Sequence, residues 1–248
     1  MMNTPEAVDL SIVIPIYNSR NLIEDSLRRL TTFLNSLSLN YEILLRDDGS
    51  TDGSREILTT MPQKYPKTRI FFNLDNRGLG FTLIELFQSS RGTNVIYMDC
   101  DLPFGENIVS VLLDEMKDCD IAIASRYKGI RNHIRWDRKI ASRLYYLFCR
   151  ILFNIPIIDI GSGSVMMSRK VLNEIHLKKE GFGIHGEIYV KASKKNFRMK
   201  ELPASTKKRQ PSTFSILRHG PHIITETLQL WFEMKEEASF YGKFSTIS

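Results

Sequence analysis

Two rhythms of apolar residues alternate along the first half of the chain. Leu10–Ile16 is almost continuously apolar, which is the pattern of a strand covered on both faces. After it, Leu22, Ile23, Leu27, Leu30, Phe33, Leu34 and Leu37 recur at three- and four-residue steps, as they would along one face of a helix. The alternation continues. It predicts strands at Tyr41–Arg46, Thr68–Phe72, Asn94–Met98 and Asp120–Ala124, and helices at Ser54–Tyr65, Thr82–Ser89 and Ile108–Met116. Thr82 and Glu85 have the spacing of a capping box, which starts the third helix at Thr82. The second half is less regular. It predicts an aromatic-rich amphipathic helix over Arg138–Phe153, a strand over Ser164–Ser168, a helix over Glu187–Lys194 and a strand over Arg198–Leu202. A last helix is expected from Pro221 to about Glu237, because proline suits a first helical turn.

Strands that alternate with helices imply crossover connections and an α/β fold with a mostly parallel sheet. Ligands of such sheets bind outside the carboxyl ends of the strands. The polar, acidic and Gly-rich clusters fall at those ends: Tyr17–Asn21, Asp47–Gly53, Asn73–Gly80 and Asp99–Gly105. No repeat, low-complexity tract or linker interrupts the pattern.

Composition narrows the picture modestly. With 248 residues, 42% hydrophobic and 25% charged, the chain has the make-up of a globular protein, which excludes disordered and fibrous classes. The length suits one large α/β domain or two small ones. The net charge of +6 is concentrated after Arg126, in Lys191, Lys194, Lys195, Arg198, Lys200, Lys207, Lys208 and Arg209. That asymmetry points to an anionic partner: phosphate, nucleic acid or an acidic membrane surface. No nucleic-acid recognition motif is present, so nucleic acid is not expected as a partner. Cys100, Cys119 and Cys149 are odd in number and have no framework spacing, which argues against a disulfide scaffold and fits a reducing compartment. The N-terminal residues lack a secretory pattern. No stretch reaches the ~18–20 apolar residues of a bilayer span, since Arg143, Arg150 and Asp159 break the nearest candidate, Ile140–Ile160. The expectation is a cytoplasmic protein without a transmembrane segment, soluble or peripheral on the cytoplasmic face of a membrane.

Three motifs carry chemistry. Asp99-Cys100-Asp101 follows the strand Asn94–Met98, and two carboxylates this close repel unless a cation or proton lies between them. A hard divalent ion such as Mg²⁺ or Mn²⁺ prefers such oxygen ligands, and a nucleoside diphosphate can complete its coordination. The plainer reading is a solvated turn. Asp47-Asp48-Gly49-Ser50-Thr51-Asp52-Gly53 reads either as a helix-capping turn or as a carboxylate offered to a base or ribose, and the two are compatible. Asn76-Arg77-Gly78-Leu79-Gly80 precedes a helix. Its glycines allow either a phosphate to approach the helix N-terminus or simply a tight turn.

Taken together, Ile12-Val13-Ile14-Pro15-Ile16-Tyr17-Asn18, the Asp47–Gly53 motif, Asn76–Gly80, Asp99-Cys100-Asp101-Leu102 and Ser125-Arg126-Tyr127 resemble, in order and spacing, the family 2 glycosyltransferases with the GT-A fold. Within that family they resemble the dolichyl-phosphate mannose synthase-like branch. The resemblance runs from about Leu10 to Arg209. It implies a nucleotide-sugar-binding half at 1–125, an acceptor-binding half of the same domain at 126–212, and a C-terminal amphipathic helix and tail at 213–248. It also implies that Pro15, Tyr17, Asn18, Asp47, Asp48 and Gly78 line the donor site, and that Asp99 and Asp101 hold the Mg²⁺ or Mn²⁺ and act in catalysis. Arg126, Arg138, Ser142 and Arg209 match groups that hold the acceptor phosphate, for which the guanidinium fork is suited. Asp159, in Asp159-Ile160-Gly161-Ser162-Gly163, and Glu187 match acceptor-side positions. Three departures limit the transfer of roles: Pro103 stands where many members have Gln, Ser19 where Glu is frequent, and Thr213-Phe214 where Ser-Lys is common.

The resemblance implies an inverting transfer of a mannose- or glucose-type hexose from a GDP- or UDP-sugar to a polyprenyl (dolichyl-like) phosphate. Two rivals stand beside it. One is transfer to a sugar hydroxyl in a cell-surface glycan, which requires a base such as Asp159 or Glu187. The other is a non-catalytic nucleotide-sugar binding module. The aromatic residues Tyr145, Tyr146, Phe148 and Phe153, and the apolar stripe within Pro221–Glu237, are read as packing surfaces or as contacts to lipid.

Overall fold

The computed structural model describes residues 7–129, 136–206 and 216–244. Among these described residues, seven strands form one sheet: β1 (Leu10–Ile16), β2 (Tyr41–Asp47), β3 (Thr68–Phe72), β4 (Asn94–Met98), β5 (Ile121–Ser125), β6 (Ser164–Ser168) and β7 (Met199–Pro203). The helices are α1 (Ile23–Asn35), α2 (Ser54–Lys64), α3 (Leu79–Ser89), α4 (Ile108–Glu115), α5 (Trp136–Phe153), α6 (Arg169–Glu174), α7 (Ile184–Lys194) and α8 (Ile216–Phe244). The strand order is β3-β2-β1-β4-β6-β5-β7, and only β6 runs antiparallel to its neighbours.

The continuous apolar strands are continuous because both faces of the sheet are covered. On β1, Ile12, Ile14 and Ile16 pack into one core with α1, α2 and α4, while Val13 points into a second core with α3, α5, α7 and α8. β4 divides the same way: Ile96 and Met98 face the first core, Val95 and Tyr97 the second. This is the period-two alternation of a strand with no polar face.

Several expected helix boundaries fail: α7 starts at Ile184 rather than Glu187, and α8 ends at Phe244 rather than near Glu237. Helix α3 begins at Leu79, after Gly78, so Thr82 lies inside it and caps nothing. Thr82 instead accepts a hydrogen bond from Asn73 Nδ2 (3.2 Å), and Glu85 pairs with Arg46 (3.2 Å). Pro221 lies inside α8, which starts at Ile216. Near the start of a helix the missing proline N–H removes a single ladder bond, which a 29-residue helix tolerates. The short helix α6, capped by Ser168 accepting from the Val171 N–H, was not anticipated; six residues carry too little periodicity to register.

The chain runs outward from β1 through β2 to β3, then returns to β4 on the other side of β1. The crevice at this reversal lies outside the carboxyl ends of β1 and β4, where Tyr17 and Asp99 emerge. Because β6 is antiparallel, Met98 pairs with Ser164. The Asp159–Gly163 segment leading into β6 therefore reaches the same edge as Asp99 and Arg126.

Candidate active site

The Asp99–Asp101 turn is built on steric clearance. Asp99 donates its N–H to the Gly163 carbonyl (2.9 Å), and its carboxylate accepts a hydrogen bond from the Tyr97 hydroxyl. A Cβ at Gly163 would come within 3.0 Å of Asp99 Oδ2, so only glycine leaves the carboxylate room. Leu102 takes a left-handed φ of 46° and Gly105 one of 77°, folding the turn back so that Asp99 and Asp101 stay at the sheet edge, both half-buried. Between them Cys100 faces the first core. Burial, with Asp101 nearby, pushes its thiol up to about 12. Two adjacent carboxylates, one with its space kept open by a glycine, fit a hard divalent ion that takes its remaining ligands from water and a diphosphate. Among the described residues, no group of three His, Cys, Asp or Glu side chains forms a cage that would hold a metal without such help.

The paired aspartates on β2 serve the loops. Asp48 is buried and accepts from Asn73 Nδ2 (2.8 Å), the Arg77 N–H (2.8 Å) and the Gly78 N–H (3.0 Å). Asp47 is fully buried and lies 3.5 Å from Arg55 Nε. Each acid thus holds a different loop, and neither presents an open carboxylate to a base or ribose, contrary to the expectation from the sequence. Asp52 accepts from the Ser54 N–H (2.9 Å), so the capping reading holds for that part of the motif. Asn18, at φ 47°, takes the Ser50 hydroxyl as acceptor for its N–H (2.9 Å) and receives the Thr51 N–H on Oδ1 (2.9 Å). Its side chain ties the loops after β1 and β2 together. Tyr17 is exposed beside it, and Pro15 is half-buried on β1.

The glycines at Gly78 and Gly80 admit protein backbone, not phosphate. A Cβ at Gly78 would sit 2.6 Å from the Glu180 carbonyl oxygen. That carbonyl accepts the Gly80 N–H (2.7 Å) and the Phe81 N–H (3.1 Å), so it takes the first free donors of α3. The loop supplying it is pinned twice. Glu187, fully buried, accepts from the N–H groups of Lys178 (2.9 Å) and Lys179 (2.8 Å) and from Lys191 Nζ (2.7 Å). Glu226 of α8 accepts from the N–H groups of Gly181 (3.1 Å) and Gly183 (2.9 Å). Glu187, expected on the acceptor side, is therefore a loop anchor with both oxygens engaged.

On the acceptor side, Arg126 arrives already paired. Its Nε and Nη2 meet the two oxygens of Asp159 at 2.9 and 2.5 Å, Nη2 also reaches the Gly161 carbonyl (2.6 Å), and its N–H bonds Asp159 (2.8 Å). Burial opposes the Arg126 charge, but the Asp159 carboxylate holds its pKa above the ordinary guanidinium value. Asp159 in turn takes its N–H to Glu201 (2.7 Å) and is 1% exposed. It is thus neither a free base nor open to an acceptor. Ser142 hydrogen-bonds the phenol of Tyr127, next to Arg126. Arg138 lies one turn earlier on the same helix, half-buried. Arg209 and Thr213-Phe214 lie outside the described residues.

Among the described residues, part of the basic excess of the second half is engaged away from this site. Lys191 pairs with Glu187, Lys200 with Glu115 of α4, and Arg198 sits at the opposite sheet edge beside Asp120 (4.0 Å). The sequence pattern also missed a polar group behind the acids. His185 stacks on Tyr97 at 5.5 Å between centroids, and Tyr189 lies buried near Asp159 and Glu201. The His185 Nε2, the Tyr189 hydroxyl and the Ser125 Oγ are buried and make no hydrogen bond. Burial lowers the His185 pKa against the pull of Asp99, and raises that of Tyr189 well above its usual value, favouring the neutral form of each. Only Tyr97 was detectable beforehand, two residues before Asp99 on a strand whose alternate residues share a face.

Solved structures share this architecture. Glucosyl-3-phosphoglycerate synthase from Mycobacterium tuberculosis, in complex with Mn²⁺, UDP and glucosyl-3-phosphoglycerate, matches with a TM-score of 0.70 over 90% of this chain and 80% of its own, at 16% identity. Mannosyltransferase PcManGT from Pyrobaculum calidifontis, in complex with GDP-Man and Mn²⁺, matches with a TM-score of 0.59 over 84% and 59%, at 15% identity. The fold is therefore the GT-A fold of glycosyltransferases. In sequence, the dolichol-phosphate mannosyltransferase of Pyrococcus furiosus is 30% identical over 225 residues, 85% of this chain and 62% of its own length. Glycosyltransferase AglD of Haloferax volcanii is 24% identical over 238 residues, 93% of this chain and 38% of its own. The chain spans less than two thirds of the length of either relative. It belongs to glycosyl transferase family 2, whose family model matches residues 11–176, more than half of the chain.

Proposed function

We propose that the chain transfers a mannose- or glucose-type hexosyl group from a GDP- or UDP-sugar to a polyprenyl phosphate, with inversion, in the presence of Mg²⁺ or Mn²⁺. One observation carries the choice of acceptor. Of the acids that the sequence singled out, Asp47, Asp48, Asp159 and Glu187 are all buried and engaged within the chain. Asp99 and Asp101 remain partly open, and the exposed Asp52 is engaged by the Arg20 and Ser54 N–H groups. A sugar-hydroxyl acceptor needs a carboxylate base within hydrogen-bond reach; a phosphate is already anionic near neutral pH and needs none.

In this reading Tyr17, Asn18 and Pro15 flank the nucleotide, and Asp99 and Asp101 hold the divalent ion. That ion would neutralise charge on the departing diphosphate. An acceptor phosphate oxygen attacks the anomeric carbon from the far side and forms the new C–O bond. The old bond to the diphosphate breaks, and its electron pair leaves with the nucleoside diphosphate. Arg138 and Ser142 orient the acceptor phosphate together with Arg209. Arg126, neutralised by Asp159, contributes position more than charge. The name of the Pyrococcus relative and the nucleotide- and Mn²⁺-bound structures of similar fold support the assignment.

The test is a radiolabel panel: GDP-mannose, UDP-glucose and UDP-N-acetylglucosamine, each with a polyprenyl phosphate or an oligosaccharide, with Mg²⁺ or Mn²⁺. Label should enter only the polyprenyl phosphate fraction, and Asp101→Ala or excess chelator should abolish it. Transfer to the oligosaccharide alone overturns the acceptor. Undiminished transfer by Asp101→Ala overturns the metal site. Donor binding with no turnover on any acceptor favours the binding-module alternative.

A further inference from the structure

Helix α5 turns a continuous apolar stripe to solvent. Trp136 (76% exposed), Ile140 (53%), Leu144 (62%), Leu147 (43%) and Ile151 (81%) run its full length. At 3.6 residues per turn these five side chains fall within about 80° of one another around the helix. Soluble surfaces scatter single exposed apolar residues, but a contiguous row marks an interaction face. The helix keeps a separate buried side for the protein. Tyr146 and Cys149 are buried, Tyr145 and Phe153 pack on the second core, and the Tyr145 hydroxyl meets Thr227 Oγ1 of α8 at 3.0 Å. Of the two readings open for the aromatic residues, packing or lipid contact, most take the packing one, and the outward stripe is made of different residues.

The chemistry beside the stripe says what covers it. Lys139, Arg143 and Arg150 are all exposed, and helical geometry places them within about 40° of one another on the sector adjoining the apolar row. Within α5 there are four basic residues, Arg138, Lys139, Arg143 and Arg150, against one acid, Asp137. A strip of aliphatic side chains headed by tryptophan and bordered by basic residues fits the plane between acyl chains and anionic headgroups. A symmetric protein dimer would set three cations against their own copies. The same helix carries Ser142, which hydrogen-bonds Tyr127 beside Arg126, and the half-buried Arg138 one turn earlier. Docking through the stripe therefore brings the acceptor side of the site to the bilayer surface.

The geometry points to α5 as a helix that lies in the headgroup region of an anionic lipid bilayer, with Trp136, Ile140, Leu144, Leu147 and Ile151 inserted and Lys139, Arg143 and Arg150 on the phosphates. The benefit of that placement rests on the polyprenyl-phosphate reading above; the lipid contact itself does not.

The experiment is co-sedimentation of the full chain with vesicles of phosphatidylcholine and phosphatidylserine at 3:1, and of phosphatidylcholine alone. Two variants accompany it: Ile140→Ser/Leu144→Ser/Ile151→Ser, and Lys139→Glu/Arg143→Glu/Arg150→Glu. The native chain should bind the anionic vesicles at least tenfold better than the neutral ones, and each triple variant should lose at least tenfold. Because the replaced side chains are exposed, thermal melts of both variants should stay within a few degrees of native, which separates lost docking from lost folding. A native chain that does not sediment with anionic vesicles overturns the proposal, as does an aliphatic triple variant that still binds. A native dimer that the aliphatic triple variant converts to monomer, without lipid binding, also overturns it and assigns the stripe to a second copy. A water-soluble short-chain polyprenyl phosphate keeps the two readings apart. Vesicle binding without transfer to that acceptor would reject the proposed function and leave the docking face standing.

Discussion

The Arg126–Asp159 pair offers the sharpest quantitative test, because the structure fixes both its geometry and its burial. Asp159→Asn removes the negative charge but keeps the shape. Arg126 then keeps its positive charge with 15% of its side chain exposed, while the neutral amide can accept through one oxygen only and sets its NH2 group where the other oxygen accepted, Nη2 keeping the Gly161 carbonyl. At an effective dielectric constant of about 20 and roughly 4 Å between charge centres, the lost attraction is about 4 kcal/mol. Removing one partner of a buried pair costs about 3–5 kcal/mol. The slight exposure of Arg126 lets some water replace the carboxylate, so about 3 kcal/mol is expected, and about 6–12 °C in Tm for a chain of this size. The assay is urea and thermal unfolding of Asp159→Asn, Arg126→Met and the double variant, read by circular dichroism. The double variant leaves no buried charge stranded and should lose at least 1.5 kcal/mol less than the sum of the singles. A loss under 1 kcal/mol for Asp159→Asn, or additivity within about 0.5 kcal/mol, would refute the assignment of Asp159 as the structural counter-ion of Arg126.

Three further outcomes follow from the same packing. Gly163→Ala places a methyl under 3.0 Å from Asp99 Oδ2, so transfer should fall about 100-fold through displacement of that carboxylate, while unfolding shifts by no more than about 2 kcal/mol; initial rates beside urea curves check both. Glu226→Ala strips the acceptors from the Gly181 and Gly183 N–H groups, which should cost about 2 kcal/mol and speed hydrogen exchange at the Gly80 and Phe81 amides that rest on the same loop. The Cys100 and Cys149 thiols are buried and pushed up to about 12 and about 11, foremost by that burial, so a disulfide reagent at pH 8 should leave both unmodified until denaturant is added; rapid labelling of the native chain at either position would contradict the packing around them.

The sequence by itself settled the alternation of strands and helices, the α/β class, and the edge at which the polar clusters gather. Strand placement was legible because β1, β4 and β6 are bounded by turn residues and largely buried on both faces, so their apolar runs stop where the strands stop. The Asp99-Cys100-Asp101 turn was legible for a similar reason, since two acids directly after a buried strand can only surface at its carboxyl end. The partners of the other acids were decided in three dimensions. Asp48 and the loop at Arg77–Gly78, Glu187 and Lys178, Asp159 and Arg126, Glu226 and Gly183 lie 9 to 43 residues apart, and which of them meet depends on strand order and on the reversed direction of β6. A local pattern reports that a carboxylate is present. Whether it faces a ligand or satisfies a buried N–H depends on the backbone that folding brings against it, and here Gly78 and Gly80 proved to make way for protein carbonyls. The outward stripe of α5 belongs to the same category: its spacing could be read along the chain, but which of its faces the protein covers became known only once α8 and the sheet were in place.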